Sequence, residues 1–230
     1  MFAVIFEVEP KPERRDDYLA LAASLKPKLE AIDGFIDVDR LASNRHSGRM
    51  LSLSIWRNEK ALIRWRTHGE HHQAQEKGRF GIFSDYRLRV GEIAADTQGD
   101  ARLEQQRFDT TEVGSAKLVT ITDIVPGKES VPAASVLLSR LALDGTAAEI
   151  ADYDLFESIY TPGRFVFLVS WRDTAAAQAW DPLAAQPIAV RQRHVRIIRD
   201  YGMFERAEAP QFYADVTRPE ARPARRAAAR

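Results

Sequence analysis

Apolar and polar positions along the first hundred residues alternate in two different rhythms. The segments FAVIFEV (2–8), FIDVDRLAS (35–43), MLSLSIW (50–56) and FSDYRLRVGEI (83–93) are rich in β-branched and aromatic residues or alternate at every second position, which predicts four strands. Apolar residues at helical spacing predict a helix after the first strand. Pro27 lies inside that run, and we expect it to kink the helix or end it early.

Two shorter helices complete this pattern. Asn58 is a suitable N-cap for a helix that runs through Trp65, and a second helix near 69–77 ends at Gly78. Ser47-Gly48 predicts a hairpin turn between the second and third strands. The resulting order is β-α-β-β-α-β, which is the ferredoxin-like split βαβ arrangement.

The chain contains this unit twice. IWRNEKALIRW (55–65) returns as SWRDTAAAQAW (170–180), 115 residues later, and all four tryptophans of the chain are in register. An ungapped match at this offset extends from Gly48 to Tyr86. A period this long indicates two copies of a domain rather than a solenoid.

The second copy is predicted to repeat the order of the first. The expected elements are a strand over 117–125, a helix over 130–143, a hairpin around 161–163, the helix TAAAQAW, and a last strand over 195–205. Pro182 and Pro187 interrupt its second helical segment.

The predicted fold is therefore α+β, with two tandem ferredoxin-like (βαββαβ) domains that pair as an intramolecular dimeric α/β-barrel. Strands that are apolar on both faces need a cover on each face, and a second copy of the same sheet is the natural partner. The expected boundaries are a first domain at 1–93, a linker at 94–115, a second and divergent domain at 116–207, and a partly disordered C-terminal tail at 208–230.

Composition excludes some functions. The chain has 33 Lys plus Arg and 33 Asp plus Glu, so its net charge gives no case for nucleic acid or an anionic membrane. It has no cysteine, which excludes disulfides, thiolate metal sites and a cysteine nucleophile. With no signal-like or long apolar segment, we expect a cytoplasmic protein.

The segment from Gly48 to Ile93 resembles the antibiotic biosynthesis monooxygenase family of dimeric α/β-barrel proteins. The resemblance rests on Trp65, Glu70-His71, Gly78-Arg79, Tyr86 and Arg89-Val90. It covers most of residues 1–93 and, more weakly, 116–206. It implies a monooxygenase that acts on a small aromatic or polyketide-like substrate with dioxygen and uses neither metal nor flavin, since a deprotonated electron-rich substrate reduces dioxygen itself.

Such chemistry needs a proton acceptor, a ring-stacking surface and a cation for the anion that forms. The candidate catalytic residues are His71, His68 and Trp65, and the candidate substrate-binding residues are His72, Arg79, Tyr86 and Trp56. No cofactor-binding or metal-binding residue is expected.

Several alternatives stay open from the sequence. Each tryptophan is equally compatible with the core, and the histidines with a solvated helix face. Haem binding or haem degradation is the first functional alternative, although the family's haem-degrading branch has an Asn in the first strand, and a His where this chain has Gln75. A non-enzymatic ligand-binding or stress-response protein is the second.

The histidines occur in the first copy only. At the 115-residue offset His68, His71 and His72 correspond to Leu183, Gln186 and Pro187, and Arg79 corresponds to His194. We therefore predict one competent site in the N-terminal half, with the C-terminal half as a structural partner. Whether the pseudo-dimer pairs again as a homodimer is left open.

Overall fold

The computed structural model describes residues 1–99, 103–124, 136, 139–141, 143–181 and 189–218. The first half contains β1 (Phe2–Pro10), α1 (Arg15–Glu30), β2 (Phe35–Ser43), β3 (Met50–Trp56), α2 (Glu59–Arg66), α3 (Gly69–Lys77) and β4 (Phe83–Asp96). The second half contains β5 (Leu118–Ile124), β6 (Ile150–Ser158), β7 (Phe165–Trp171), α4 (Thr174–Ala179) and β8 (Ala189–Gly202). The helix predicted over 130–143 lies largely outside the described residues.

Local signals position most elements of the first half as predicted. Asn58 caps α2 by accepting a hydrogen bond from the Ala61 backbone amide at 3.0 Å. Gly48 adopts a φ of 84° in the β2–β3 turn, a conformation that glycine tolerates best. The expected early stop at Pro27 is wrong, because α1 continues to Glu30. Pro27 costs the helix one hydrogen bond, because it has no N–H to donate to the carbonyl of Ala23, and Leu29 beyond it is buried against the sheet.

The predicted pairing of the two halves is confirmed. All eight strands form one closed antiparallel barrel in the order β1-β3-β2-β6-β7-β5-β8-β4. The halves join at two seams, a long one between β4 and β8 and a short one of three residue pairs between β2 and β6. Apolar side chains from both sheets fill the barrel interior, among them Ile5, Leu53, Ile121 and Leu168. None of the helices in the described ranges is both long and apolar enough to cross a membrane.

The register of the last strand corrects the sequence repeat. Phe2 pairs with Trp56 on one side and Glu92 on the other. In the second half Leu118 pairs with Trp171 and Arg196. Trp56 and Trp171 are 115 residues apart, as predicted, whereas the structurally equivalent Glu92 and Arg196 are only 104 apart.

The predicted equivalence of Asp85-Tyr86 with Asp200-Tyr201 is therefore wrong, because the register places Ala189 rather than Tyr201 opposite the equivalent of Val8, the partner of Tyr86. The second copy is eleven residues shorter between its second tryptophan and its last strand. This shortening falls where the first copy has α3, the helix that carries His71 and His72. The 115-residue offset that pairs His68, His71 and His72 with Leu183, Gln186 and Pro187 therefore does not continue into the last strand. Those three residues of the second copy lie outside the described part of the chain.

Ion pairs between the strands obey the same pseudo-twofold symmetry. The Glu7–Arg89 pair matches Asp123–Arg193, and both pairs lie inside the barrel. At the β4–β8 seam, Arg87–Asp200 matches Arg191–Asp96. The fifth pair, Glu92–Arg196 (2.6 Å), lies on the symmetry axis. In a homodimer each residue there would face an identical one, so this attraction exists only because the two copies differ at this position.

Arg89 is the most deeply buried of these charges, with 1% of its surface exposed. Its guanidinium bonds Glu7 and also donates to Ser170 Oγ at 2.7 Å, across the two halves. Replacing Arg89 by methionine is expected to lower the free energy of unfolding by about 3–5 kcal/mol, because Glu7 is left as a buried unpaired charge. Denaturant titration measures this change. The double variant Glu7→Leu/Arg89→Met should recover part of the loss, and a loss below about 1 kcal/mol in Arg89→Met would contradict this role.

Candidate active site

A cavity of about 190 Å³ lies in the N-terminal half, between the outer face of the sheet and helices α1, α2 and α3. The sheet supplies its floor with every second residue of the strands, because side chains alternate across a strand. These floor residues include Val4, Phe6, Ser52, Ser54, Leu88 and Val90. The helices supply apolar walls through Leu25, Leu29 and Leu62. The cavity therefore offers a mostly apolar chamber with few polar groups, as small-molecule sites do.

Small residues on β3 make room for this cavity. Ser52 and Ser54 line it, and their equivalents on β7 are Phe167 and Val169, which are both fully buried in the apolar core of the second half. The ring of Trp180, which is the equivalent of Trp65, packs 6.4 Å from the ring of Phe167. The same face of the second sheet is thus filled by its own side chains where the first is open.

His71 and Trp65 form one unit at the cavity wall. The two rings stack with centroids 4.2 Å apart and an interplanar angle of 16°. His71 Nδ1 lies 2.9 Å from the Trp65 carbonyl oxygen, which can only accept, so Nδ1 carries the proton and Nε2 is left as the free base. His71 lies in the first turn of α3, a short polar helix with no buried residue, and its ring is directed toward Trp65 and the cavity.

The surroundings of His71 keep it neutral. Burial, assisted by the nearby charges of His68, Arg40 and His72, lowers the pKa of His71 to about 4, while the hydrogen bond to the Trp65 carbonyl acts in the opposite direction. At physiological pH the imidazole is therefore unprotonated and free to accept a proton. The sequence argument selected His71 among three histidines, and it is the one that lines the cavity.

The other two predicted histidines lie outside the cavity lining. His68 precedes α3, and its ring centroid lies 5.8 Å from that of Trp65. His72 is stacked on Tyr213 and hydrogen-bonded to its hydroxyl through Nδ1 at 3.1 Å. His72 Nε2 also lies 3.7 Å from Glu76. The structure therefore brings His71 and Trp65 together at the cavity and gives His72 a contact with the C-terminal half.

The remaining predicted residues divide between the lining and its support. Trp56 and Tyr86 line the cavity, and Trp56 is also a core residue, with its Nε1 donating to Ser54 Oγ at 2.9 Å. Arg79 is only 2% exposed and is not part of the lining. Its guanidinium donates to the Tyr86 hydroxyl at 3.1 Å and to two backbone carbonyls further along the chain.

Those carbonyls belong to a segment that we call the strap, residues 203–214, which follows β8 and crosses the open side of the cavity. Arg79 binds the carbonyl of Met203 at 2.7 Å and that of Ala214 at 3.0 Å. Gln211 and Tyr213 both reach Gln75 of α3. Pro210, Gln211 and Tyr213 line the cavity. The C-terminal half is therefore more than a structural partner, since it closes the N-terminal cavity.

Replacing Arg79 by methionine is expected to release the strap while leaving the barrel intact, because three backbone or hydroxyl acceptors lose their buried donor. Hydrogen exchange should accelerate in residues 203–214 and stay unchanged in β1 and β5. Arg172→Met, at an exposed arginine, is the matched control. Unchanged exchange of the strap in Arg79→Met would contradict this anchoring role.

Four arginines that the sequence did not predict as site residues line the cavity. Arg40 on β2, Arg66 at the end of α2, Arg199 on β8 and Arg206 of the strap all line the cavity. Burial raises the pKa of Tyr201 to about 12, against the opposing charges of Arg66, Arg206 and Arg199. Alternation along β2 would have placed Arg40 on the helix-facing side. Arg199 reaches the cavity only through the pairing of β4 with β8, and no sequence pattern predicts the register of that pairing.

Known proteins resemble this chain at the levels of sequence and fold. The profile of the antibiotic biosynthesis monooxygenase family matches residues 1–77. The jasmonate monooxygenase ABM of Pyricularia oryzae is 40% identical over 221 residues, which cover 93% of this chain and 98% of that protein. The uncharacterized protein YqjZ of Bacillus subtilis is 32% identical over 92 residues, covering 40% of this chain and 78% of that protein.

Among solved structures, an aldoxime dehydratase in complex with butyraldoxime has a TM-score of 0.56 at 9% identity and covers 86% of this chain and 79% of its own. At that identity the likeness shows the fold alone. The match to the full-length Pyricularia protein is of a different kind, because it combines high identity with nearly complete coverage of both chains. The chain therefore belongs to the antibiotic biosynthesis monooxygenase family and is an oxidoreductase of the monooxygenase type.

Proposed function

We propose that the protein is a cofactor-independent monooxygenase whose single substrate site is the N-terminal cavity. The observation that carries the proposal is His71, a neutral imidazole with a free Nε2 at the wall of an apolar chamber. The cavity wall combines a base, a stacking surface and a cation. His71 is the base, Trp65 stacks on it, and Arg40 is close enough to lower its pKa.

The proposed chemistry begins with proton transfer. His71 Nε2 accepts a proton from a C–H or O–H group made acidic by an adjacent ring or carbonyl, and Arg40 stabilises the resulting anion. The anion reduces dioxygen, which becomes bonded to the ring carbon. For a methylene group the balanced outcome is R–CH2–R′ plus O2 giving R–CO–R′ plus H2O, so that the substrate supplies all the electrons. The apolar walls exclude water from the anion.

Two substrate classes meet these requirements. The named relative suggests jasmonate, a small carboxylic acid whose cyclopentanone acidifies neighbouring C–H bonds. The sequence predicts small aromatic or polyketide-like compounds, for which the stacked pair of Trp65 and His71 offers a ring-binding wall. Of these, the jasmonate class has the stronger support, because the relative matches this chain over nearly its whole length.

Oxygen uptake by the purified protein tests the proposal. Jasmonic acid, methyl jasmonate, anthrone and a panel of phenols are supplied without added metal, flavin, haem or reductant, and labelled dioxygen identifies the product. We expect uptake with at least one of them and one labelled oxygen atom in the product. Turnover that begins only after haem or a reduced cofactor is added would overturn cofactor independence and favour the haem alternative. Saturable binding without any turnover would favour a ligand-binding protein.

A further inference from the structure

Charge is distributed unevenly between the cavity and the rest of the protein. Acidic and basic residues balance over the whole chain at 33 each. Among the described residues that line the cavity, by contrast, four are arginines and Glu59 is the only carboxylate. Both oxygens of Glu59 accept from Arg107 Nη1 at 2.8 Å. The cavity is therefore a positively charged site inside a neutral protein.

None of these four arginines holds a carboxylate within the described structure, and three of their side chains have no hydrogen-bond partner there either. Arg206 is engaged with the Tyr86 hydroxyl and with strap carbonyls. The side chains of Arg40, Arg66 and Arg199 make no hydrogen bond or ion pair there, and the Nε atoms of Arg40 and Arg66 are buried without a partner. Other partly buried arginines hold carboxylates, as Arg49, Arg87, Arg107, Arg191 and Arg196 do.

The unpaired arginines lie at opposite ends of the cavity. Arg40, on β2, is at the end where His71 is found. Arg199, on β8, pairs with Val90, and both it and Arg66 line the cavity beside Tyr201 and are close enough to lower the pKa of that residue. Three strands separate β2 from β8, so the two ends are roughly 19 Å apart along the sheet. The floor between them is apolar except for Ser52 and Ser54.

We propose that Arg66 and Arg199 form a carboxylate-binding subsite at the β8 end of the cavity, so that the substrate is a small apolar carboxylic acid. The inference rests on the proposed function, because it takes the cavity to be the substrate site. A carboxylate at this end directs the apolar body of the substrate across the floor toward His71 and Arg40. Guanidinium groups suit this task, since they bind carboxylates through paired hydrogen bonds.

Purely structural roles do not explain why Arg66 and Arg199 lack side-chain partners. Arg66 lies in the last turn of α2, where a cation favours the helix dipole, but the dipole does not require a buried and unpartnered Nε. The charge of Arg199 contributes to lowering the pKa of Asp109. However, both carboxylate oxygens of Asp109 accept hydrogen bonds from Arg107, so Asp109 is not the partner of Arg199. Neither arginine is thus explained by a partner within the described protein.

The subsite is also absent from the second copy. By the strand register, Arg199 corresponds to Ala95 on β4, and Arg66 corresponds to Asp181. One arginine comes from each half of the chain, so the subsite forms only when the halves pair. This is a direct functional gain from fusing two copies, since each copy was then free to diverge.

Calorimetric titration with jasmonic acid and methyl jasmonate tests the subsite, because esterification removes the negative charge of the carboxylate and adds only a methyl group. In the wild type we expect the acid to bind about 10-fold to 100-fold more tightly than the ester, the range for hydrogen bonds to a charged group. In Arg199→Met and in Arg66→Met this ratio should fall to about 3-fold or less while the affinity for the ester is kept. Arg172→Met is the matched control, and Arg199→Lys should restore part of the preference.

Equal affinity for acid and ester in the wild type would overturn the inference, as would a ratio unchanged in both arginine variants, or a failure of the acid to bind. These outcomes are separable from failure of the proposed function, which oxygen uptake tests with uncharged substrates as well. Turnover of methyl jasmonate or of a phenol without any acid preference leaves a monooxygenase and removes the subsite. Circular dichroism and the unfolding temperature show that each variant is folded.

Discussion

Replacing His71 by glutamine is expected to lower kcat by about 100-fold to 10 000-fold, the usual contribution of a positioned general base. Glutamine keeps a side chain of similar length, but it cannot accept the substrate proton. The ring faces the cavity beside Trp65, so the substrate should still bind, with KM changed much less than kcat. Oxygen uptake under saturating substrate measures the effect. His68→Gln is the matched control, because His68 lies outside the cavity lining and should keep nearly full activity.

The pH dependence follows from the same residue. Burial lowers the pKa of His71 to about 4, so the free base predominates above that pH. The value of kcat/KM should therefore be flat from neutral pH down to about pH 5 and fall below it as His71 becomes protonated. An inflection near pH 6.5, the value of an ordinary exposed histidine, would contradict the assignment, as would full activity in His71→Gln.

Protonation of His71 also affects stability. Its pKa is lower in the folded protein than in the unfolded chain, so the unfolded state binds the additional proton as the pH falls from about 6.5 to about 4. The wild type should lose stability across this window, and His71→Gln should lose less. Denaturant titrations of both proteins at neutral pH and at pH 5 measure the difference.

Replacing Ser52 by phenylalanine is expected to abolish substrate binding, with a loss of affinity of at least about 100-fold. The substitution copies the second half, where Phe167 occupies the equivalent position in a filled core. The new ring would enter a cavity of about 190 Å³ rather than a packed interior. Its effect on the free energy of unfolding should thus stay at or below the low end of the roughly 1–3 kcal/mol that overpacking costs.

Two further variants make this test specific. Ser52→Ala enlarges the cavity slightly and should bind substrate as the wild type does. Phe167→Ala, at the matching position of the second half, should cost about 3–5 kcal/mol of stability without changing substrate affinity. Retained binding in Ser52→Phe would show that the substrate site lies elsewhere.

The fold could be predicted from the sequence because its determinants are local or repeated. Strand alternation, the Asn58 cap and the turn at Gly48 each define one element, and the tryptophan repeat indicates two copies. A sheet that is apolar on both faces must bury both of them. Helices cover one face, so a second sheet is expected on the other, which predicts the barrel. These signals depend only on near neighbours in the chain or on identity between the copies.

The register of the last strand, β8, could not be predicted from the sequence. An Asp-Tyr pair occurs at the ungapped offset in both copies, yet the hydrogen-bond register aligns Tyr86 with Ala189 rather than with Tyr201. Strand register depends on contacts with β5, which lies far away in sequence. A chance dipeptide match could not reveal it.

The candidate site was predictable in part for the same reason. His71, Trp65, Trp56 and Tyr86 lie on elements of one domain, and the family resemblance pointed to them. Arg199 and the strap reach the cavity only through the β4–β8 seam and the anchor at Arg79. No pattern within the first domain contains that information.

We propose that each chain has one substrate site, which lies in the N-terminal half and is completed by the C-terminal half. The stoichiometry of jasmonic acid binding, measured by calorimetry for the wild type and for Ser52→Phe, tests this directly. We expect one molecule bound per chain in the wild type and none in Ser52→Phe. Two molecules per chain, or one molecule still bound in Ser52→Phe, would contradict it.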